Sequence, residues 1–378
     1  MEPLKIAFFC WESIYSERIG GLSPGATYLA ESLAAKGHEL HFFTRGGADR
    51  TIKGVQYHYV QPYANNIVDY AKSMSDLMVQ RFRDFDTPAF DILHFHDWHV
   101  TEALHQLKDR NTIFTFHSTE YGRAGNQIGQ WWEAKEISGK EWYAALTARR
   151  ITAVSHVLKN EIMWLYNIPF EKIDVVSNGI YPEVYEAVID PGRVKETYGI
   201  HPYAPLVLFV GRMEYQKGPD LLAKAIPLVL RHRWDTRFIM AGQGTMKYEL
   251  QQMLAGLPVH FPGYIPDSEY VRLLNASDVV VIPSRNEPFG LVLLEAWSAR
   301  RCPVVADVGG LSENVTNFTD GVKVYLDPAS IAWGINYVLS DPSRAGAYGR
   351  NGRRKVERHF LWSVVAGRML DVYSKVLL

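Results

Sequence analysis

The sequence predicts an α/β protein of two doubly wound domains, each built on a parallel sheet. Three observations carry that prediction. Short apolar runs of strand length alternate with longer amphipathic segments from the amino terminus onward, the order that βαβ units produce. Runs such as VVVIP, from Val279 to Pro283, are continuously apolar, as strands covered on both faces require. The pattern also restarts at Leu206 after a polar stretch containing Pro and Gly, in a chain of 378 residues, longer than one core usually sustains. The expected division is a first domain over residues 1–185, a linker over 186–204, a second domain over 205–358 and a last helix over 360–378.

Composition excludes several classes. Lys and Arg total 40 against 41 Asp and Glu, a formal net charge of −1, so no overall field gathers nucleic acid or an anionic membrane. Cys10 and Cys302 are the only cysteines and lie in or beside apolar runs. That suits reduced core thiols in a cytoplasmic compartment rather than a disulfide framework. No apolar run is long enough to span a bilayer, and MEPLKIAFFCW passes straight into a strand pattern, so neither signal peptide nor anchor is expected.

In chain order, Leu4 to Phe9 reads as a strand, Pro24 to Lys36 as a helix, and His38 to Thr44 and Val55 to Val60 as strands, with a long helix from about Asn65 to Phe85. The loop Trp11 to Ser23 is long and follows the first strand, where open α/β sheets place ligands. It carries Arg18, Gly20 and Gly21; paired glycines let backbone approach a ligand, and a flexible turn before a helix accounts for them equally well. Asp84-Phe85-Asp86 spells an Asp-x-Asp metal string but sits where a helix runs out before Pro88, and reads as a solvated helix end. DILHFHDWH is a strand that puts His94 and His96 on one face. A His-x-His metal pair needs further ligands, and only His117 closes a neighbouring strand. His117, Thr119 and Arg123, at the end of NTIFTFHSTEYGR, are candidate acceptor contacts. From Gly129 to Arg150, Trp131, Trp132 and Trp142 are accompanied by both Lys and Glu, which favours a domain-packing helix over a membrane-surface one. Ile151 to Ser155 and Ile173 to Ile180 complete the first sheet.

In the second half, the strand LVLFVG leads to a loop carrying Arg212 and Lys217 before a helix from Pro219 to Arg231; both cations can reach one anionic group. Gly242 and Gly244 lack the third glycine of a dinucleotide fingerprint. PSRNEPFGLVLLEAWSA, from Pro283 to Ala299, joins a buried strand to a helix opening at Gly290 and Leu291. Orphan amides and the helix dipole there suit a phosphate or diphosphate. Glu287 and Glu295 would be repelled by such a group unless they accept from neutral donors such as sugar hydroxyls. A helix from about residue 289 puts them roughly 12 Å apart, enough for one on a hexose and the other on a ribose. Read in isolation, such a pair is more simply a helix N-terminal carboxylate and a solvated helix residue. PVVADVGGLSENV repeats the strand-to-helix junction, with Gly309 and Gly310 as a second amide nest. Arg344, Arg350, Arg353, Arg354, Lys355 and Arg358 read as a solvated helix face.

PSRNEPFGLVLLEA closely resembles the Glu-x7-Glu signature of retaining nucleotide-sugar glycosyltransferases of the GT-B fold, the group that includes glycogen and starch synthases and the family-four enzymes. The resemblance implies two Rossmann-like domains facing across a cleft, with the last helix crossing back onto the first. It puts the donor mostly on the second domain and the acceptor on the first. Glu287 then contacts the transferred sugar and Glu295 the ribose. GRMEYQKG matches the group's Gly-Arg-x4-Lys-Gly pattern, which assigns Arg212 and Lys217 to the pyrophosphate. His-x-His-Asp-Trp resembles the glycogen synthase pattern and places His96 at the transferred sugar. Tyr264 and Ile265 pass the base, and Gly290, Leu291, Val292, Gly309 and Gly310 complete the donor set. RIGGL resembles a Lys-x-Gly-Gly-Leu motif that adds Gly20 and Gly21, with Arg18 keeping the charge but not the geometry of the lysine.

The implied reaction moves a hexosyl, by resemblance glucosyl, unit from ADP-glucose or UDP-glucose to a sugar or glucan hydroxyl. It proceeds with retention, without a divalent metal or other cofactor, the nucleotide sugar being the co-substrate. Within the group, another donor such as GDP-mannose or UDP-GlcNAc with a lipid or small-molecule acceptor is the alternative. A metal-dependent hydrolase on His94, His96 and His117 and a non-enzymatic sugar-nucleotide sensor are the rivals outside it.

Overall fold

The structure, a computed structural model, describes residues 2–16 and 20–377, so Arg18 lies outside the described residues. It divides into two compact units, one of Met1–Arg123, Gln127–Gly179 and Trp362–Leu378, the other of Ala124–Asn126 and Ile180–Leu361.

The first unit carries β1 (Lys5–Cys10), β2 (Glu39–Arg45), β3 (Arg50–Ile52), β4 (Val55–Val60), β5 (Ile92–His96), β6 (Thr112–Phe116), β7 (Arg150–Ala153) and β8 (Ile173–Val175). They form one sheet in the order β3-β4-β2-β1-β5-β6-β7-β8. All neighbours are parallel except β3 and β4. Strand β3 was invisible to pattern reading because it is short and largely exposed. What makes it a hairpin is the two-residue turn Lys53-Gly54, with both φ angles positive at +47° and +80°, the geometry that matches strand twist. The core is aromatic: Phe9 stacks on Phe43 at 5.2 Å and on Phe95 at 4.7 Å.

The second unit carries β9 (Leu206–Val210), β10 (Arg237–Ala241), β11 (Val259–Gly263), β12 (Val279–Ile282), β13 (Cys302–Ala306) and β14 (Val322–Val324). Their order is β11-β10-β9-β12-β13-β14, all parallel. The glycines at the end of β10 serve close backbone packing: a Cβ at Gly242 would lie 1.9 Å from the Gly211 carbonyl oxygen and one at Gly244 2.4 Å from that of Met213. Cys10 and Cys302 are buried free thiols.

Three expectations change. Residues 186–204 are not a loose linker: they belong to the second unit and contain the helix Pro191–Glu196, capped by the Asp190 carboxylate. The ammonium of buried Lys195 binds the Ala204 carbonyl at 2.8 Å and Asp278 at 3.1 Å. Asp86 is not solvated but accepts from Arg110 at 2.8 Å. Half of the basic cluster on the helix Pro342–His359 is engaged within the fold, since Arg344 donates to Ser340, Arg353 to the Ser298 carbonyl and Glu357, and Lys355 to the Asn314 carbonyl. The last helix, Trp362–Leu377, lies in the first unit, where Tyr373 shares a 2.8 Å hydrogen bond with His94.

Candidate functional site

Strand order places the site in the second unit. From β9 the chain winds outward to β10 and β11, then returns beside β9 to lay down β12 and continue the other way. The carboxyl ends of β9 and β12 flank this switch point, the crevice where open α/β sheets bind ligands. The loop after β9 carries Arg212 and Lys217, and the loop after β12 carries Glu287.

These loops are locked together. Gly218, at φ +64°, passes so close to the second loop that a Cβ would lie 2.0 Å from the Pro283 carbonyl oxygen. The Arg285 amide donates to the Gln216 carbonyl at 2.8 Å, and the Arg285 guanidinium grips both carboxylate oxygens of Asp220 at 2.7 Å each. Lys217 Nζ then reaches Glu287 Oε2 at 2.8 Å, and Ser284 Oγ donates to the same oxygen at 3.1 Å. Both bonds fall on Oε2, so among the described residues Oε1 is the atom left to accept from a hydroxyl. Arg212 is exposed and donates to Gln216 Oε1, a neutral partner, at 3.0 Å, which leaves its charge available to an anion.

The helix after this loop is Leu291–Ser298, with Gly290 at φ +101° before it. Glu287 therefore sits in the loop and not on the helix, and spacing by helical rise does not describe the two glutamates. By helix geometry the amides of Leu291 and Val292 have no intrahelical partner. Gly309 and Gly310 open the next helix, Gly309–Asn314. The Gly310 amide is already donated to the Glu287 carbonyl at 2.7 Å, and a Cβ at Gly309 would lie 2.2 Å from that same oxygen. These glycines thus brace the Glu287 loop, and the expected second nest has one of its amides occupied.

Glu295 accepts from Tyr185 at 3.1 Å through one oxygen and from Tyr270 at 2.5 Å through the other. Burial, with the Glu295 charge beside it, pushes the Tyr270 phenol well up, so it stays a donor. Tyr264 is 74 % exposed and presents its ring to solvent, whereas Ile265 is buried.

In the first unit the strand order reverses between β1 and β5, and His96 closes β5 beside Cys10. His94 and His96 stack at 4.2 Å. His96 Nδ1 shares a 3.1 Å hydrogen bond with His117 Nε2, and His96 Nε2 is buried without a partner among the described residues. Burial, with His94 and His117 adjacent, holds His96 well below the ordinary imidazole range, and burial takes His117 down to about 4. Both rings are neutral near pH 7. Asp97, at φ +59°, fixes His117 by accepting its amide at 2.8 Å, and burial pushes its carboxyl up to about 6.

Other expected contacts fall differently. No described residue crowds Gly20, and Gly21 adopts ordinary helical φ and ψ. The close approach occurs at Gly25, where a Cβ would lie 3.1 Å from Asn178 Oδ1 and 3.2 Å from the His117 ring. Thr119 and Arg123 are committed to holding their loop. Buried Thr119 donates to Glu161, and Arg123 donates to Glu120 at 3.1 Å, Ser118 at 2.8 Å and Glu141 at 2.5 Å. The zinc reading loses its first ligand, because His94 Nδ1 is bound by Tyr373 and Nε2 by Thr115 at 2.6 Å. Among the described residues no group of three His, Cys, Asp or Glu can hold a metal ion.

Ser284, Asp220, Arg285, Tyr185 and Tyr270 were not foreseen. Ser284 and Arg285 lie inside the conspicuous motif, but nothing in a single sequence separates them from ordinary loop residues. Asp220, Tyr185 and Tyr270 reach the site only through folding.

Comparison with known proteins bears on the same loops. The model for glycosyltransferase family 4 matches residues 19–184, and the model for glycosyl transferases group 1 matches residues 193–355. An uncharacterized glycosyltransferase of Methanocaldococcus jannaschii is 33 % identical over 98 % of both chains. A glycogen synthase of Mycobacterium tuberculosis is 29 % identical over 94 % of this chain and 91 % of its own. Among solved structures, a sucrose-phosphate synthase from Thermosynechococcus elongatus superposes with a TM-score of 0.82 at 21 % identity, covering 99 % of each chain. The catalytic domain of starch synthase IV from Arabidopsis thaliana, bound to ADP and acarbose, does so with a TM-score of 0.80 at 17 % identity, covering each chain fully.

Proposed function

The chain belongs to the family-four group of GT-B glycosyltransferases that use nucleotide-sugar donors, and on that premise we propose that it transfers a glucosyl unit from ADP-glucose or UDP-glucose to a hydroxyl of a sugar or glucan, with retention at the anomeric carbon. One observation carries the reading: Glu287 is held at the switch point by Lys217 and Ser284 through a single oxygen, leaving the other for a sugar hydroxyl while cations and helix amides stand beside it for a diphosphate. Likeness to a glycogen synthase along almost the whole chain favours glucose and a carbohydrate acceptor, as does the ADP and acarbose held by the starch synthase.

In this mechanism the diphosphate lies on the Leu291 and Val292 amides with Arg212 and Lys217 on its oxygens. The charge that grows on the leaving group is thereby stabilised where water is scarce. Glu287 orients the hexose and opposes the positive charge that develops at its anomeric carbon. Neutral His96 offers its unpartnered ring nitrogen to a sugar hydroxyl. Glu295, backed by Tyr185 and Tyr270, accepts from the ribose, and Tyr264 faces the base. The departing phosphate oxygen takes the acceptor proton on the same face, so no enzymic carboxylate needs to form a covalent intermediate. No divalent cation is required, and turnover in EDTA should match turnover in magnesium.

The deciding experiment screens ADP-glucose, UDP-glucose, GDP-mannose and UDP-GlcNAc for thermal stabilisation, followed by product analysis with glucose, glucose phosphates and maltooligosaccharides as acceptors. A ligand at a hundred times its Kd adds about 2.7 kcal/mol to stability. Stabilisation by a glucosyl donor with an α-linked glucoside formed supports the assignment. Stabilisation and turnover with only a mannosyl or N-acetylglucosaminyl donor, or an inverted product, overturns it.

A further inference from the structure

Beyond β12, the second unit carries a cavity that the transfer reaction does not use. It lies at the carboxyl ends of β13 and β14, has a volume of about 370 Å³, and is lined by Asp307, Asn317, Phe318, Lys323, Tyr325 and Trp333, with Ser330 at its edge. We propose that this cavity is a second carbohydrate site, which holds a pyranose segment of an oligosaccharide chain apart from the donor loop.

Three features of the lining converge. The rings come first. Phe318, Trp333 and Tyr325 are 47 %, 48 % and 77 % exposed. Trp333 is set edge-on to Phe318 with centroids 6.3 Å apart and stacked on Tyr337 at 5.3 Å. Such rings present flat apolar faces of the kind that cover the C–H face of a pyranose. The second feature is charge. Lys323 pairs with Asp307 at 3.4 Å and donates to the Ser312 carbonyl at 2.6 Å, so the lining neutralises itself and offers nothing to an ionic ligand. What remains is suited to hydroxyls: the second oxygen of Asp307, the Asn317 amide nitrogen, whose oxygen accepts from the Lys323 amide, and the Ser330 hydroxyl proton, whose oxygen accepts from the Tyr325 amide. Aromatic faces interleaved with hydroxyl-binding polar groups in a space of this size suit a small polar ligand such as a sugar.

The third feature is strain. Phe318 has φ +58°, a conformation that bulky residues rarely adopt and that persists only where the surroundings impose it. Here they do. Asp320, almost fully buried, accepts from the Thr316 amide at 2.8 Å, pairs with Lys355, and through its carbonyl accepts from Trp297 at 2.7 Å. The Phe318 amide closes the turn on the Gly321 carbonyl at 2.9 Å. The turn thus holds an exposed ring rigidly into the cavity, at a position where asparagine would be the relaxed choice.

The test is calorimetric titration of the full chain with maltoheptaose and with cellohexaose, in parallel for wild type, Phe318→Asn, Trp333→Ala and Glu287→Gln. Binding should fall at least tenfold in Phe318→Asn and Trp333→Ala. It should persist in Glu287→Gln, which separates this site from the donor loop and its failure from failure of the transfer reading. Phe318→Asn guards against misfolding, because it relieves strain and should melt no lower than wild type. Oligosaccharide binding unchanged in both ring variants overturns the inference, as does absence of binding of either oligosaccharide by the wild type. A concentration-dependent dimer in ultracentrifugation that Trp333→Ala abolishes, without any sugar binding, also overturns it and makes the face a contact between copies.

Discussion

At the scale of single residues, the two glutamates of the motif are chemically alike and differently held. Glu287 has one oxygen consumed by a cation and a hydroxyl and the other open among the described residues, whereas Glu295 has a phenol on each oxygen. A carboxylate facing a carbon that gains positive charge contributes most in the transition state. One facing a ribose contributes equally before and during the reaction. Glu287→Gln should therefore lower kcat about 100-fold or more with little change in donor KM. Glu295→Gln should raise donor KM about tenfold at nearly unchanged kcat. Steady-state kinetics with varied donor distinguishes them, and equal losses of kcat would remove the division of roles. Tyr270→Phe should reproduce the Glu295→Gln pattern more weakly, because it frees Glu295 without neutralising it.

At the scale of elements, the site depends on two loops that touch through backbone. Gly218 has no room for a side chain and a left-handed φ. Gly218→Ala should cost at least about 2 kcal/mol, read as a lowered midpoint in urea unfolding, together with lost donor binding. Arg285 clamps the second loop through Asp220 and lies over the Tyr215 ring at 3.8 Å. Arg285→Ala leaves the mostly buried Asp220 carboxylate unpaired and should cost roughly 3 kcal/mol. Arg285→Lys should recover only part of that, since an ammonium cannot make two parallel bonds. Denaturant titration of the three proteins tests this. If Arg285→Lys equals wild type, the bidentate geometry is not what holds the loop. The motif's letters pointed to this junction, but its rigidity comes from Gly218 and Arg285, which the spacing of Glu287 and Glu295 does not reveal.

At the scale of the whole molecule, buried histidines tie stability to pH. Burial lowers His94 to about 3, His117 to about 4 and His58 to about 4, the last with His41 adjacent, against about 6.5 in the unfolded chain. The unfolded state therefore binds more protons below pH 6.5, and stability is lost as pH falls from there toward 4. Asp97 works the other way, since a carboxyl raised to about 6 favours folding as it protonates. Burial raises Glu120 and Glu141 as well and holds His96 and His99 well below the ordinary imidazole range; five imidazoles outweigh three carboxyls, so the melting temperature should drop by roughly 5 °C or more between pH 7 and pH 5. A flat profile across that interval would mean that the rings are not buried neutral. Asn66 shows the opposite kind of legibility, as a side-chain cap that starts a helix near residue 65, where local pattern expects it.

What the sequence determined by itself was whatever is written locally: strands as apolar runs, helices by period, the restart of the α/β pattern at Leu206, and the short motifs that place Arg212, Lys217 and Glu287 after strand ends and Glu295 on the helix that follows. Tertiary structure alone decided what those side chains touch. Tyr185 and Tyr270 meet Glu295 across 110 and 25 residues, His94 finds Tyr373 across 279, and Thr119 and Arg123, which look available in the chain, are consumed by Glu161, Glu120 and Glu141. The physical reason is that a hydrogen bond depends on atoms within about 3 Å, and chain-distant groups reach that separation only after the sheets have stacked their neighbours in order.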